Sequence, residues 1–488
     1  MSPDLSGAFW VQTAIKYLLD MDNFPGMPAE LTNWGKSARS ACFVYKVTDK
    51  EGIARALAGA RAKRLSVIPH GSGHSYTDAA LNTGGIVIDV TPMRQILAWD
   101  PTQGIMRVEP GVTLREMVQM ASQDGWWPVV SPSTPEVTIG GCAAMNVNGR
   151  NAWKCDPFGA TILAMDVLLA TGEACTLVRE RDTQLFRAFV GSMGLLGIIT
   201  SITVQLQRVS SGFVTLHRRS ATALDEILNL FAEEEQRSDF MEAWIDGFAS
   251  GRQLGRGMIT CATLSHSSDS MPSQFKKPGR LGRLELPLVR LAASLGRPAL
   301  VPGVQIANRA NYWRVRCSRQ TTERRRGLFP YTFWPPAAFA GYHALFPDGL
   351  ETFQAFVPRQ HSKQIFGQML RYSQQHACWP IWCIIKQHRG DPFLLSYQVD
   401  GFSLELHYQR TDQMARTLEP VLQHMIATVI EAGGRFYLAK DRLLTHTQYR
   451  QSVGDAAVDT FLNLKQRYDP ETLLQSDLFR RVFQPSPL

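Results

Sequence analysis

Two glycine-rich loops constrain this chain more than any other feature of its sequence. The first, PHGSGHSY, covers residues 69–76, and the second, TIGGCAAMNVNGRN, covers residues 138–151. Glycine lets consecutive backbone N–H groups face one ligand, and such turns bind phosphate oxygens without a cationic side chain. The first loop is not a GxGxxG fingerprint, because Tyr76 stands where the third glycine would be. Taken alone, it is also compatible with a plain hairpin turn.

A third element strengthens the interpretation of these loops as a ligand site. The stretch GLLGIITSITVQL, residues 194–206, reads as a strand that opens at Gly197. The first two loops are separated by a predicted strand and a helix, which begins at Thr113 and stops at Gly125. Two phosphate-binding turns separated in this way suit the diphosphate of a dinucleotide. The sequence therefore predicts a bound cofactor.

Length and composition limit the class of protein. A chain of 488 residues with 44% apolar and 19% charged residues is globular and long enough for two or three domains. The net charge of +8 fits either a basic surface without a specific partner or contact with an anionic substrate or membrane. No nucleic-acid-binding motif is present, so we expect no nucleic acid partner.

Cysteine usage and targeting signals suggest a location. None of the eight cysteines forms a CxxC pair, which predicts reduced thiols. We find neither a signal peptide nor a run of 18 apolar residues, so we expect a cytoplasmic protein with a possible membrane association. The stretch 284–307, LELPLVRLAASLGRPALVPGVQIA, is apolar with scattered arginines, and it predicts either a buried element or a loop that contacts lipid.

Hydrophobic patterns divide the chain into four parts. Residues 1–36 are a lead-in with helical spacing near its start, and residues 37–208 alternate strands and helices. Residues 209–424 carry long aromatic stretches, including FPYTFWPPAAF at 329–339, which we predict to be a strand of a second sheet. Residues 425–488 are mainly helical. The predicted fold class is α+β.

The order of these elements resembles the vanillyl-alcohol oxidase family, the PCMH-type FAD-linked oxidases. Four stretches carry the resemblance: GSGHSYTDAALNTGGIVIDVTPM, PSTPEVTIGGCAAMNVNGRN, GSMGLLGIITSITVQL and GGRFYLAKDRLLT. The last is typical of the branch that contains the decaprenylphosphoryl-ribose 2-oxidases. The resemblance implies a two-part FAD-binding domain, 37–208 plus 425–488, with an inserted antiparallel-sheet substrate domain, 209–424. It also implies FAD as cofactor and no metal.

The resemblance assigns roles to individual positions. Lys440 and Lys386 would be catalytic, with Lys440 binding or deprotonating the substrate hydroxyl. Arg150, Gln354 and Phe333 would contact substrate. The expected FAD-binding residues are Gly71, Ser72, Gly73, His74, Ser75, Tyr76, Thr138, Ile139, Gly140, Gly141, Asn148, Ile198 and Ile199. Asn148 and Arg150 fall where the family has a His-Gly-Lys stretch, so the chain departs there. Each lysine also has a simpler interpretation, such as a surface ion pair of Lys440 with Asp441.

His74 is the most informative departure from the ribose-oxidase branch. That branch carries arginine here and holds FAD non-covalently, whereas aldonolactone and alditol oxidases of the superfamily carry Gly-His-Ser. In those enzymes the histidine is joined to the 8α-methyl carbon of the flavin. The sequence SGHSY resembles the second group. The resemblance therefore leaves two alternatives, a covalent link through His74 or a histidine that only hydrogen-bonds to FAD.

The resemblance implies oxidation of a secondary alcohol on a sugar. The leading expectation is a polyprenyl-phosphate-linked pentose, oxidised as one half of an epimerisation in cell envelope biosynthesis with a separate partner reductase and peripheral membrane contact. The first alternative is an oxygen-dependent oxidase of a soluble alditol, aldonolactone or nucleoside sugar, which His74 favours. The second is a flavin-binding protein without catalysis.

Overall fold

The computed structural model describes residues 26–266, 297–317, 324–333, 346 and 348–485. Its first sheet has four strands in the order β1-β2-β4-β3. The β1–β2 pair is antiparallel, whereas β2–β4 and β3–β4 are parallel. The strands are β1 (Met27–Thr32), β2 (Arg39–Lys46), β3 (Val67–His70) and β4 (Ile86–Asp89). The first glycine-rich loop leaves this sheet directly at the end of β3.

Local capping signals set the first two helices where the sequence predicted them. Helix α1 (Lys50–Lys63) follows Asp49, whose side chain accepts a hydrogen bond from Gly52 N. Helix α2 (Leu114–Ala121) begins with a capping box between Thr113 and Glu116. These two helix predictions are confirmed.

The second sheet has five strands in the order β5-β6-β10-β8-β9, all paired antiparallel. Two further short strands, β7 (Trp126–Trp127) and β11 (Gln207–Arg208), pair with each other. Strands β8 and β9 form an antiparallel hairpin that turns at Gly172. The five strands are β5 (Ile96–Asp100), β6 (Ile105–Val108), β8 (Ile162–Leu168), β9 (Ala174–Val178) and β10 (Ile198–Gln205). Helices α3 (Ile139–Ala144) and α4 (Thr183–Phe189) accompany this sheet.

The third sheet has eight antiparallel strands in the order β15-β12-β14-β13-β17-β18-β16-β19. Its last strand comes from the C-terminal part of the chain, beyond residue 424. The strands are β12 (Phe213–Ala221), β13 (Phe240–Ile245), β14 (Gly257–Leu264), β15 (Arg324–Gly327), β16 (Leu350–Pro358), β17 (Trp382–His388), β18 (Gly401–Gln409) and β19 (Arg435–Phe436). The mixture of helices and largely antiparallel sheets confirms the predicted α+β class.

Eight helices accompany the third sheet and the C-terminal part within the described residues. They are α5 (Leu224–Glu234), α6 (Arg297–Cys317), α7 (Leu328–Thr332), α8 (Arg359–Gln375), α9 (Asp412–Glu431), α10 (His446–Val453), α11 (Asp455–Tyr468) and α12 (Asp477–Phe483). In the part of the chain that the structure describes, no helix combines the length and the apolar character needed to span a bilayer.

One strand prediction is wrong. Residues 328–332, LFPYT, form helix α7 instead of a strand. Pro330 lacks the N–H that a ladder requires, whereas the first turn of a helix tolerates proline because those N–H groups have no intrahelical partner. Residues 334–339 of the same predicted strand lie outside the described residues, as do the predicted lead-in helix and the stretch 284–296.

The C-terminal segment packs on the first sheet and contacts the residues on both sides of the first glycine-rich loop. Leu474 forms a parallel bridge with Val67 of β3. The buried Asp469 carboxylate accepts the N–H groups of Leu473 and Leu474 at 2.8 and 2.7 Å. Farther along the chain, Arg481 of α12 contacts Asp78 through two hydrogen bonds of 3.0 and 2.7 Å. Because Asp78 directly follows the first loop, α12 holds that loop in place.

Candidate active site

A single cleft of about 280 Å³ collects both glycine-rich loops and both predicted catalytic lysines. One wall is formed by the two loops, and the opposite wall is formed by one face of the eight-stranded sheet. Eleven residues predicted from the sequence line this cleft: Gly71, Ser72, Gly73, His74, Ser75, Tyr76, Thr138, Gly141, Asn148, Lys386 and Lys440.

The two loops touch each other at Gly71. A Cβ atom at Gly71 would lie 2.3 Å from Oγ1 of Thr138, so no larger residue fits without displacing the second loop. The same Thr138 hydroxyl accepts a hydrogen bond from Gly141 N at 3.2 Å and caps α3. Gly73 has a positive φ of 69°, a conformation that favours glycine. Glycine at positions 71 and 73 therefore permits the close contact between the loops and the left-handed turn at the cleft.

Backbone hydrogen bonds join the first loop to the segment that carries Lys440. Tyr76 N donates to Ala439 O at 2.8 Å, and the Thr77 hydroxyl donates to Leu438 O at 2.8 Å. These residues are more than 350 positions apart in the chain. The contacts therefore place Lys440 next to the loop that contains His74.

His74 has a defined orientation in the cleft wall. Its ring stacks on Trp34 with centroids 4.4 Å apart and planes inclined by 25°. Its Nδ1 atom lies 2.9 Å from the hydroxyl of Ser72. An aromatic neighbour on one side and a hydroxyl on the other limit the rotation of the imidazole.

The sheet wall of the cleft is built by alternation along three neighbouring strands. Side chains two positions apart on a strand share a face. Ile384 and Lys386 of β17 line the cleft, as do Glu405 and His407 of β18 and Glu242 of β13. The register pairs Ile384 with Glu405, and Ala243 with Ile385, which places Glu242 beside Lys386. Two lysines and two carboxylates therefore face the same space.

Lys440 forms an ion pair with Glu405. The Lys440 Nζ and Glu405 Oε1 atoms are 2.5 Å apart, and the same oxygen lies 2.8 Å from His407 Nε2. Burial alone would raise the pKa of Glu405, but Lys440, the hydrogen bond with His407 and Lys386 outweigh it and hold that pKa well below its usual range. Glu405 is therefore an anion that pairs with the Lys440 side chain.

Lys386 has a weaker carboxylate partner. Its Nζ lies 4.0 Å from Oε2 of Glu242, and this oxygen also receives a hydrogen bond of 3.2 Å from Nε of Arg150. Burial lowers the pKa of Lys386, and the repulsion from Lys440 and Arg150 acts in the same direction, whereas Glu242 and Glu405 oppose it. Lys386 is therefore the cleft lysine that loses its proton more readily than a free amine.

Arg150 and Asn148 occupy different depths around this site. Arg150 does not line the cleft. It lies behind Glu242 and donates to the backbone oxygen of Tyr331 at 2.6 Å. Asn148 does line the cleft, and its amide donates to the hydroxyl of Tyr397 at 3.1 Å.

Besides Arg150, six predicted site residues lie outside the cleft lining. Ile139 and Gly140 are buried behind the second loop, where a Cβ at Gly140 would meet Pro110 at 2.7 Å. Ile198 is buried in β10, and Ile199 follows it in the same strand. These four residues shape the surroundings of the loops without facing the cleft.

The other two of the six were expected to contact substrate. Gln354 is buried on β16, and its amide donates to the hydroxyl of Ser403 at 3.2 Å. Phe333 is buried in an aromatic group with Trp127 and Phe329, at centroid distances of 6.1 and 5.0 Å. The structure does not bring either side chain to the lining of the cleft.

The sequence interpretation missed Glu242, Glu405 and His407. Each lies in a strand whose other residues are mostly apolar, for example GFSLELHYQ for β18. A charged residue in a strand buried on both faces is rare unless it has a partner. The spacing of Glu405 and His407 by two positions was the available signal, because it places both on one face.

A second polar group lies on another part of the eight-stranded sheet. Within the described residues, His217, Glu234 and Cys261 bring three possible metal ligands within 4.8 Å of one another. Glu234 also bonds to Arg219 at 3.1 Å and to His217 at 3.0 Å. Because protein cations and donors already surround this carboxylate, we assign it a structural role and no metal.

Comparison with protein families agrees with the expected cofactor. Residues 41–177 match the family model described as an FAD binding domain. This range contains both glycine-rich loops and the contact between Gly71 and Thr138. The close contact between the loops at Gly71 and Thr138 and the cleft that both loops line fit a nucleotide cofactor, and the family match confirms the predicted FAD.

Comparison with individual proteins extends over nearly the whole chain. The chain is 26% identical to decaprenylphosphoryl-beta-D-ribose oxidase of Mycolicibacterium smegmatis, over 94% of this chain and 98% of that protein. It is 27% identical to L-gulono-1,4-lactone dehydrogenase of Mycobacterium tuberculosis, over 93% and 99%. A shorter similarity, 30% identity over 38% of the chain and 40% of the relative, is to D-lactate dehydrogenase of Anaerostipes hadrus.

Proposed function

We propose that this protein, an FAD-dependent oxidoreductase with a PCMH-type flavin domain, oxidises a secondary alcohol on a neutral sugar ring. Bound FAD supplies a two-electron acceptor for the hydrogen on the carbinol carbon. The observation that carries the proposal is the pair of lysine–carboxylate contacts facing the cleft that contains both glycine-rich loops.

The paired charges suit neighbouring hydroxyl groups. A hydroxyl donates one hydrogen bond and accepts others, so it can bind a carboxylate and an ammonium group together. Lys440 with Glu405 and Lys386 with Glu242 offer this combination twice. We call the part of the cleft beside Lys386 and Lys440 the inner cleft. Because each of these lysines already has a negative partner, the inner cleft gives little net attraction for a phosphate. A neutral polyol is therefore the better occupant of the inner cleft.

The two lysines have different roles at the reacting hydroxyl. Lys440, paired with Glu405, donates a hydrogen bond to the substrate oxygen and stabilises the negative charge that develops on it. Lys386, whose pKa burial lowers, accepts the hydroxyl proton at Nζ. The surrounding walls orient the carbinol carbon and exclude water.

Two substrate classes share this chemistry. A polyprenyl-phosphate-linked pentose is our leading proposal, supported by the similarity to decaprenylphosphoryl-beta-D-ribose oxidase along 94% of the chain. Its keto product would then pass to a partner reductase, which would complete an epimerisation. A soluble alditol, aldonolactone or nucleoside sugar is the second candidate, supported by His74 in the cleft wall and by the similarity to L-gulono-1,4-lactone dehydrogenase.

Reduction of the protein-bound flavin separates these two classes. We expect loss of the visible flavin absorbance when the purified holoprotein is mixed anaerobically with a short-chain prenylphosphoryl ribose, and little change with L-gulono-1,4-lactone or xylitol. If L-gulono-1,4-lactone or xylitol reduces the flavin faster than the prenylphosphoryl ribose does, and hydrogen peroxide forms in air, the result would support the soluble class and refute the leading proposal. Reduction by none of these compounds would refute both.

We also propose that His74 is joined to the flavin. In such a link an imidazole nitrogen of His74 would take the place of one hydrogen of the flavin 8α-methyl group. Two protons would be released, the two electrons would reduce the flavin, and oxygen or another acceptor would reoxidise it. The stacking on Trp34 and the contact with Ser72 hold the imidazole in one orientation, which favours bond formation.

The covalent link is tested by acid precipitation. We expect a yellow pellet from the wild-type protein and, for His74→Ala, a colourless pellet with yellow supernatant. A peptide containing His74 should gain the mass of FAD in the wild type only. The variant His361→Ala is a matched control, because it removes an exposed imidazole of α8 outside the cleft and should keep the pellet yellow. A yellow supernatant from the wild type would rule out the link.

A further inference from the structure

Helix α6 has an unusual composition for a surface helix. Its sequence, RPALVPGVQIANRANYWRVRC, contains four arginines and no acidic residue. It lies between two stretches of the eight-stranded sheet in the chain, after β14 and before β15. Arg309, Arg314 and Arg316 are exposed on this helix, so it attracts anions there.

The inner face of α6 is firmly attached to the sheet next to the cleft. Tyr312 is buried in a cluster with Trp244 and Ile384, and Ile384 is part of the cleft wall. The guanidinium of Arg256 lies over the ring of Tyr312, 4.9 Å from its centroid, and is paired with the buried Asp246 at 2.8 Å. The position of α6 is therefore coupled to the cleft.

The outer face of α6 exposes large apolar side chains between arginines. Ile306 is 70% exposed and Trp313 is 46% exposed. These two residues are seven positions apart, about two helical turns, and so share a face. Arg309 and Arg314 are exposed beside them. Trp382, 40% exposed, belongs to the cleft lining and precedes Ile384 on the same face of β17.

We propose that the outer face of α6, defined by Ile306, Arg309, Trp313 and Arg314, docks on an anionic phospholipid bilayer. Tryptophan and isoleucine enter the headgroup region, and the arginines contact lipid phosphates. The proposal rests on the proposed function, because docking brings the cleft edge at Trp382 to a substrate whose prenyl chain stays in the bilayer. A positive helix with exposed apolar residues complements a negative, partly apolar surface.

Vesicle co-sedimentation with the full-length holoprotein tests this docking surface. We expect binding to vesicles of phosphatidylglycerol and phosphatidylcholine, and weak binding to pure phosphatidylcholine. Removal of one arginine near an anionic surface lowers affinity about fivefold, so Arg309→Gln with Arg314→Gln should lower it about 25-fold. Ile306→Ser with Trp313→Ser should lower it by at least about tenfold through lost insertion.

Matched variants elsewhere control for general effects of charge and exposure. Leu97→Ser with Met120→Ser removes two other exposed apolar side chains, and Lys50→Gln with Arg55→Gln removes two exposed cations of α1. Neither pair should change binding. Equal binding to both vesicle types, or equal losses in the control pairs, would overturn the proposal.

The result also separates this inference from the proposed function. Vesicle binding is measured without a sugar substrate. If vesicle binding does not depend on α6 but the protein oxidises a prenylphosphoryl pentose, the docking proposal is wrong and the substrate proposal still holds. Vesicle binding that depends on α6, combined with oxidation of soluble polyols alone, would refute the substrate proposal and retain the docking surface.

Discussion

Replacement of Lys440 by methionine is expected to slow turnover by about 10²- to 10⁴-fold while FAD stays bound. Lys440 is the cleft cation closest to a carboxylate, 2.5 Å from Glu405, and its segment is hydrogen-bonded to the loop that carries His74. Without the ammonium group, the negative charge that develops on the substrate oxygen has lost its nearest donor. Steady-state kinetics with the substrate identified by flavin reduction measures this effect.

The same substitution leaves Glu405 buried without its lysine, which costs about 3–5 kcal/mol of folding free energy. The double variant Lys440→Met with Glu405→Gln removes both charges and should recover stability without recovering turnover. Lys363→Met is the matched control, because this exposed lysine pairs with the exposed Asp225 at 3.4 Å, outside the cleft. Full turnover in the folded double variant would contradict the assignment and favour a flavin-binding protein in which Lys440 has no catalytic role.

Replacement of Gly71 by alanine is expected to weaken FAD binding about 5- to 150-fold. The added Cβ would lie 2.3 Å from Oγ1 of Thr138, so one of the two loops must move away. Overpacking of this kind costs about 1–3 kcal/mol, which corresponds to that range of affinity. Fluorescence titration of apoprotein with FAD measures the change when Gly71 and Gly71→Ala are compared in a His74→Ala background, which binds FAD reversibly. The purified Gly71→Ala protein should contain less flavin than the same protein with Gly71.

Two further variants show whether the contact between the loops is the cause. Thr138→Ala removes the clashing hydroxyl, so Gly71→Ala with Thr138→Ala should regain part of the lost affinity. Gly390→Ala is a neutral control, because a Cβ at Gly390 meets no atom within 4 Å. Normal affinity in Gly71→Ala would mean that the loops do not hold the diphosphate as proposed.

Local features of the sequence were sufficient for much of the fold. Asp49 and Thr113 cap helices because their side chains accept backbone N–H groups of the first helical turn. The glycine-rich loops were recognisable because glycine is the residue favoured where φ is positive or where the backbone packs closely against another segment. The prediction failed at residues 328–332, where aromatic content suggested a strand and Pro330 excluded a paired one.

The partners of the catalytic lysines were not predictable in this way. Asp441, the sequence neighbour of Lys440, instead accepts the N–H groups of Leu443 and Leu444 at 3.0 and 2.8 Å. The actual partner of Lys440 is Glu405, on another element. The interpretation of Lys440 and Asp441 as an ion pair, based on their proximity in the sequence, was wrong. The backbone turns after Lys440, so the Asp441 carboxylate faces the N–H groups of the following residues instead.

The sequence by itself determined the two glycine-rich loops and the capped helices, and the family resemblance pointed to Lys386 and Lys440 as candidate catalytic residues. Only the tertiary structure decided that Glu405 and Glu242 pair with those lysines, and that Gln354 and Phe333 lie away from the cleft. The physical reason is strand register. A shift of one residue in β17 or β18 would turn these side chains to the opposite face, and register is set by contacts between segments far apart in the chain.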